Sequence, residues 1–299
     1  MSGSLAGVSG LPTCNYSNPH KILGKREPMF ARDLTSLPVL LYSIEIEAEG
    51  AGLVRFYAEG HGALAVRGRG LGKPASKLAP LLQPADELVI DLARGRGRTP
   101  VLTGVRLARS HAAWRAGLPH QALQWFLVEC AYTASGEQAE NERVFQLIVN
   151  LLRREPPAGE LAGSACAFCL KFLAVHGLLP DLRNCAVSED PLPPGEPAFL
   201  LPTGEGFVSL KTYNDSYARS GRGLVRLEPP RLPRWRRQLT GALLDYPGQG
   251  FDEADAALLI GLTQLVLGDV AARPLASATF LARQWGLSTL AELAVERQD

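Results

Sequence analysis

Leu53-Val54-Arg55-Phe56-Tyr57-Ala58 runs into Glu59-Gly60-His61-Gly62 and then into Ala63-Leu64-Ala65-Val66-Arg67-Gly68-Arg69-Gly70. Side chains of a strand alternate between two faces. Val54, Phe56 and Ala58 therefore share one face, with Arg55 and Tyr57 on the other. Gly60 and Gly62 mark a turn, and Leu64 and Val66 resume the apolar face, so the stretch reads as two antiparallel strands. The pattern repeats on either side. Pro38 to Glu47 alternates through Val39 and Leu41, Leu88 to Ala93 through Leu88, Ile90 and Leu92, and Val101 to Leu107 forms a last strand. Five short strands in so compact a segment predict a small barrel. The OB-fold is the common barrel of this size that binds nucleic acid.

Downstream of that hairpin the chain is basic and glycine-spaced: Val66-Arg67-Gly68-Arg69-Gly70-Leu71-Gly72-Lys73-Pro74-Ala75-Ser76-Lys77, and later Arg94-Gly95-Arg96-Gly97-Arg98. Glycines let the backbone approach a polyanion closely, and the intervening cations neutralise phosphates. The net charge of the 299-residue chain is only +1, but it is unevenly spread. Residues 1–50 carry −1, residues 51–120 carry +7 and residues 121–299 carry −5. Such segregation points to a polyanion-binding barrel on a mildly acidic body. Arg67, Arg69, Lys73, Lys77, Arg94, Arg96 and Arg98 are the candidate contacts. Tyr42, Phe56, Tyr57, Trp114 and Trp125 lie near them in sequence. Exposed bases stack on aromatic rings. Phe56 falls on the apolar face, which leaves Tyr57, beside Arg55, as the better stacking candidate.

Beyond residue 110 the apolar spacing becomes helical: Gln121 to Thr133, Asn141 to Arg153, Leu161 to Leu179, Trp235 to Tyr246, Asp252 to Ala272 and Ala276 to Trp285. Between Pro180 and Pro233 lies an irregular, proline-rich stretch with two apolar runs, Ala198 to Leu201 and Gly206 to Leu210, read as a hairpin. The expected organisation is an α+β chain. Residues 1–34 form a flexible extension, 35–110 an OB-fold barrel, and 111–299 a helical domain with an insertion at 183–230. The most apolar segment, Ala256 to Val270, is too short to cross a bilayer and is broken by Thr263, Gln264 and Asp269. A cytoplasmic protein is expected.

Other chemistries find little support. The five cysteines are odd in number and irregularly spaced, which is not a disulfide framework. Cys166, Cys169, His176 and Cys185 make a zinc-ligand set on paper, but the first two sit in an apolar helical run, where small cysteines are core residues. Gly72-Lys73 resembles the end of a phosphate loop, yet Arg67 stands where a glycine is required and Pro74 where a Ser or Thr must hold magnesium. The five histidines are scattered, and no nucleophile–base pattern appears. Asp86-Glu87 reads as an exposed strand start. Arg231-Leu232-Pro233-Arg234-Trp235-Arg236-Arg237 fits either a solvated helix start or a second DNA or protein contact.

From about residue 38 onward the order of elements resembles the RecO family of bacterial recombination mediators. The resemblance rests on Glu59-Gly60-His61-Gly62 leading to Arg67-Gly68-Arg69-Gly70, then Ser76-Lys77-Leu78, Leu82-Gln83-Pro84 and Arg94-Gly95-Arg96-Gly97. It continues in Phe172-Leu173, Gly177-Leu178-Leu179-Pro180-Asp181-Leu182 and Cys185, and in Arg273-Pro274-Leu275-Ala276-Ser277 with Phe280-Leu281. Many members carry four zinc cysteines in the insertion. Here Cys185 alone remains, with Ser188, Ser209 and Thr212 at the other positions, so a degenerate zinc-finger region with no metal and no cofactor is expected. The first strand, Tyr42 to Glu49, is acidic where relatives are basic. The resemblance implies a non-enzymatic, nucleoid-associated protein. It would bind single- and double-stranded DNA, anneal complementary strands, dock on the acidic tail of single-stranded DNA-binding protein (SSB) and, with RecR, help to load RecA.

Overall fold

The computed structural model describes residues 34–47, 50–95, 99–136, 138–219, 223–241, 250–271 and 274–286. Five strands, β1 (Leu34–Ile46), β2 (Gly52–Ala58), β3 (Gly62–Gly68), β4 (Glu87–Ala93) and β5 (Val101–Arg109), close into a barrel in the order β1-β2-β3-β5-β4. All neighbours are antiparallel except β3 and β5, whose parallel contact at Arg67↔Val101 and Gly68↔Leu102 completes the ring. This is the OB-fold arrangement the alternation predicts. β1 is longer than expected: it pairs with β4 from Leu34 to Leu40 and with β2 from Val39 to Ile46, the latter with a register shift between Leu41 and Ser43. The barrel interior is filled by Val39, Leu41, Val54, Phe56, Leu64, Val66, Leu88, Ile90, Leu92 and Leu102.

The helices follow: α1 (Leu118–Thr133), α2 (Gln138–Arg154), α3 (Leu161–Val175), a single turn α4 (Leu210–Thr212), α5 (Arg231–Thr240), α6 (Glu253–Ala271) and α7 (Ala276–Trp285). α3 is the central helix. Its 15 residues include ten buried ones, Cys166, Phe168 and Cys169 among them. That apolar girth explains why Ala158–Val175 has the length and hydropathy of a membrane span while packing as a core helix. α6 starts with a reciprocal cap. Asp255 N–H donates to Asp252 Oδ1 at 2.7 Å, and the Asp255 carboxylate accepts from Asp252 N–H. The insertion is a three-stranded sheet rather than a hairpin: β6 (Ala198–Leu200) pairs with both β7 (Phe207–Ser209) and β8 (Val225–Leu227). The run at 225–227 is too short to read as a strand from sequence.

One layer of the barrel's outer surface is not solvent-facing. Leu40 and Tyr57 pair across β1 and β2 and belong to the helical core, while their neighbours Val39 and Phe56 point into the barrel. Tyr57 is fully buried, and its hydroxyl donates to the Asn141 carbonyl at 3.1 Å. The expected stacking platform is thus a structural joint. The turn between β2 and β3 serves the same joint. Ser135 Oγ accepts from Ala63 N–H at 2.8 Å, and Gln146 Nε2 donates to Glu59 at 2.5 Å. Gly62 has φ +72°, and a Cβ there would overlap Ser135 Oγ and stand 2.7 Å from Asn141 Nδ2. Asp86 and Glu87 are likewise buried rather than exposed. Asp86 accepts from Arg115 at 2.6 Å and from His111 N–H at 2.9 Å. Glu87 receives Arg153 through two nitrogens, at 2.8 and 2.6 Å, and lies 2.9 Å from His111 Nε2.

Candidate nucleic-acid interface

Arg67 is the last outward residue of β3, and its position follows from period-2 alternation with Val66 inside. Its backbone N–H donates to the Pro100 carbonyl at 2.8 Å, which ties it to the β4–β5 connection. The segment after it bends at Gly70, φ +66°, and Gly72 N–H donates to the Gly50 carbonyl at 3.0 Å, which ties it to the β1–β2 connection. Arg67, Arg69 and Lys73 therefore share a segment bonded to both connections. In OB-folds these loops and the β2–β3 face are where oligonucleotides bind. Arg69, Lys73, Lys77 and Arg94 are exposed. Arg94 follows Ala93, which pairs with Val101, itself the partner of Arg67. Arg96 and Arg98 lie outside the described residues.

The outer face of β1–β2–β3 is charge-compensated. Glu47 holds Arg67 at 2.7 Å, and Glu45 holds Arg55 at 2.8 Å. The Arg55 hydrogen bond and charge keep the Glu45 carboxyl below the usual carboxylate range. Arg55 joins the candidate face although the basic-cluster pattern passed over it. The alternation that sets it opposite Phe56 was the available signal. None of the five aromatic candidates supplies an open ring. Phe56, Tyr57 and Trp114 are buried, Tyr42 stacks on Tyr132 at 4.5 Å, and Trp125 lies half-buried against Phe280.

Arg231 to Arg237 is mainly a structural cluster. Arg234 donates to the buried Asp255 at 2.6 Å, Arg231 lies 3.5 Å from the same carboxylate, and Arg236 donates to the Leu182 carbonyl. The paper zinc set does not assemble. Cys166 and Cys169 are inside α3, whereas Cys185 contacts Thr212 in the insertion. Burial pushes the Cys169 thiol up to about 12, which disfavours the thiolate a metal needs. Among the described residues no group of three or more His, Cys, Asp or Glu side chains gathers to hold an ion.

A second feature lies on the helical side. A cleft of about 580 Å³ between α2, α3 and the end of α5 is lined by Arg143, Leu147, Asn150, Lys171, Val175 and Leu239, among others. Lys171 Nζ is anchored to the Gly241 carbonyl at 2.8 Å. Spacings of four and three residues on α2 and of four on α3 put these groups on facing stripes, a signal present in the sequence but unusable without knowing that the helices pack there.

The family described as "Recombination protein O C terminal" matches residues 123–209, which run from α1 to the end of β7. A DNA repair protein RecO from Dehalococcoides mccartyi is 33% identical over 119 residues, covering 38% of this chain and 45% of that protein. Another from Desulfatibacillum aliphaticivorans is 26% identical over 157 residues, covering 52% and 60%. The chain spans about half the length of the curated relatives it matches. The family match falls on the helical body, and over the matched stretches the chain is similar to RecO proteins.

Proposed function

We propose that this chain is a non-enzymatic DNA repair and recombination mediator that binds single- and double-stranded DNA and anneals complementary strands. In this reading residues 35–110 hold DNA, and residues 111–299, with the insertion at 183–230, dock partner proteins. The supporting observation is that Arg67, Arg69 and Lys73 lie in one segment bonded to both barrel connections, with Arg94 beside them. Cations there neutralise phosphates so that two strands can approach. The α2–α3 cleft combines Arg143 and Lys171 with Leu147, Val175 and Leu239. Acidic peptides with an apolar tip need that combination, so the cleft is the candidate seat for the SSB tail. RecR and, through it, RecA are the further partners of this cytoplasmic reading.

The test is annealing of complementary oligonucleotides precoated with SSB, with tailless SSB as control. Acceleration that vanishes with the tailless form supports the mediator reading, and no acceleration with either form refutes it. Charge reversal of Arg67 and Arg69 together should weaken binding and flatten its salt dependence. An unchanged slope removes both from the interface. A second reading has its own support: Arg55 and Arg67 already receive carboxylates, so the face suits an acidic protein. Weak oligonucleotide binding beside tight, salt-sensitive binding to an acidic partner would favour it.

A further inference from the structure

The insertion contains two pairs of polar side chains with two residues between members, Cys185 with Ser188 and Ser209 with Thr212. Zinc knuckles space their ligands this way. The fold brings the pairs to one point. Cys185 Sγ lies 3.4 Å from Thr212 Oγ1. Ser209 Oγ donates to Thr212 Oγ1 at 3.0 Å and accepts from Thr212 N–H at 3.2 Å. The Ser188 hydroxyl and the N–H groups of Ser188 and Ser209 bond the Cys185 sulphur. Tetrahedral ligands about 2.0–2.3 Å from an ion stand about 3.3–3.8 Å apart, close to these separations.

The donor set nevertheless does not fit zinc. The ion takes thiolates, imidazoles and carboxylates, all of them deprotonated, and three of the four positions here are neutral hydroxyls bonded to their neighbours. We propose that this cluster is a hydrogen-bonded substitute for a zinc knuckle, in which Ser188, Ser209 and Thr212 hold the Cys185 sulphur and the insertion keeps its shape without metal. Hydrogens pointing at the sulphur take the place of the cation's charge. Backbone bonds fix the loop that carries the sulphur. Cys185 N–H donates to Asp190 O at 2.8 Å, Glu189 N–H to Cys185 O at 2.9 Å, and Ala186 N–H to Phe207 O at 2.8 Å. Phe199 of β6 stacks on Tyr213 at 3.9 Å.

The test uses the full chain. Elemental analysis should find no stoichiometric zinc, and a chelator such as 1,10-phenanthroline should leave Tm unchanged. Bound zinc, or a melt lowered by chelator, overturns the proposal. The S188C/S209C/T212C variant should take up about one equivalent of Co²⁺ with tetrahedral thiolate absorption, while the parent shows none. A variant that folds, judged by circular dichroism, but binds no cobalt refutes the equivalence of the four positions. Should that variant not fold, Thr212→Val in the parent chain decides: a lowered Tm supports the hydrogen-bonded cluster, and an unchanged Tm refutes it.

Discussion

In the proposed reading, Glu45 and Glu47 occupy, on their arginines, the position a phosphate oxygen would take. Such exposed pairs are weak, so a polyanion with many phosphates can displace them. Glu45→Gln with Glu47→Gln should raise oligonucleotide affinity several-fold and steepen its fall with salt, because Arg55 and Arg67 then meet phosphates unopposed. Fluorescence anisotropy at three salt concentrations reads both effects, and an unaltered isotherm would exclude this face. Tyr57 gives a second check at the same scale. Tyr57→Phe removes one buried hydrogen bond and should cost about 1 kcal/mol, whereas Tyr57→Ala also empties a ring-sized space and should cost about 3–5 kcal/mol. Urea titration measures both. If the two variants lose equal stability, the ring does not pack as described.

The barrel was legible at the level of elements because period-2 alternation is a local property. Val54, Phe56, Leu64 and Val66 declare the inner face by themselves. The outer face was not legible in the same way. Leu40 and Tyr57 point outward from the barrel, and only the docking of α1 and α2 turns outward into buried. Asp86 and Glu87 looked like a solvated strand start for the same reason, since Arg115 and Arg153 that cover them arrive from 29 and 66 residues away. Gly62 was legible as a turn but not as a contact. Gly62→Ala should destabilise by at least the ~1–2 kcal/mol of left-handed backbone strain, plus the overlap with Ser135 and Asn141. A thermal melt within a degree of wild type would contradict that packing.

Across the whole molecule, barrel and helices are joined by buried polar groups, and this sets an acid limit. Burial of Glu87 works to raise its pKa, but bonds from Arg153 and His111 outweigh it and hold the carboxyl below its ordinary value of 4.5. A carboxyl depressed on folding contributes stability above its unfolded pKa and loses it as the pH falls through the folded one. The stability gap between wild type and Glu87→Gln should therefore be full at pH 7 and close below about pH 4.5. A gap as wide at pH 3 as at pH 7 would contradict this origin. The α2–α3 cleft lies on the helical body, apart from the barrel's basic segment, so the two should be separable. Arg143→Glu should abolish stimulation on SSB-coated strands while leaving binding to naked DNA intact, and equal loss of both would refute the separation.

The joint also constrains how the protein can be taken apart. A fragment ending near Arg109 would keep all five strands, yet it would expose Leu40 and Tyr57 to water and strip Asp86 and Glu87 of Arg115, Arg153 and the His111 side chain. Such a truncation would present a new apolar patch beside two uncompensated carboxylates, a surface inclined to self-association and repellent to DNA. The isolated barrel would then misreport the affinity of the intact protein, and point substitutions in the full chain are the sounder way to assign work to each half.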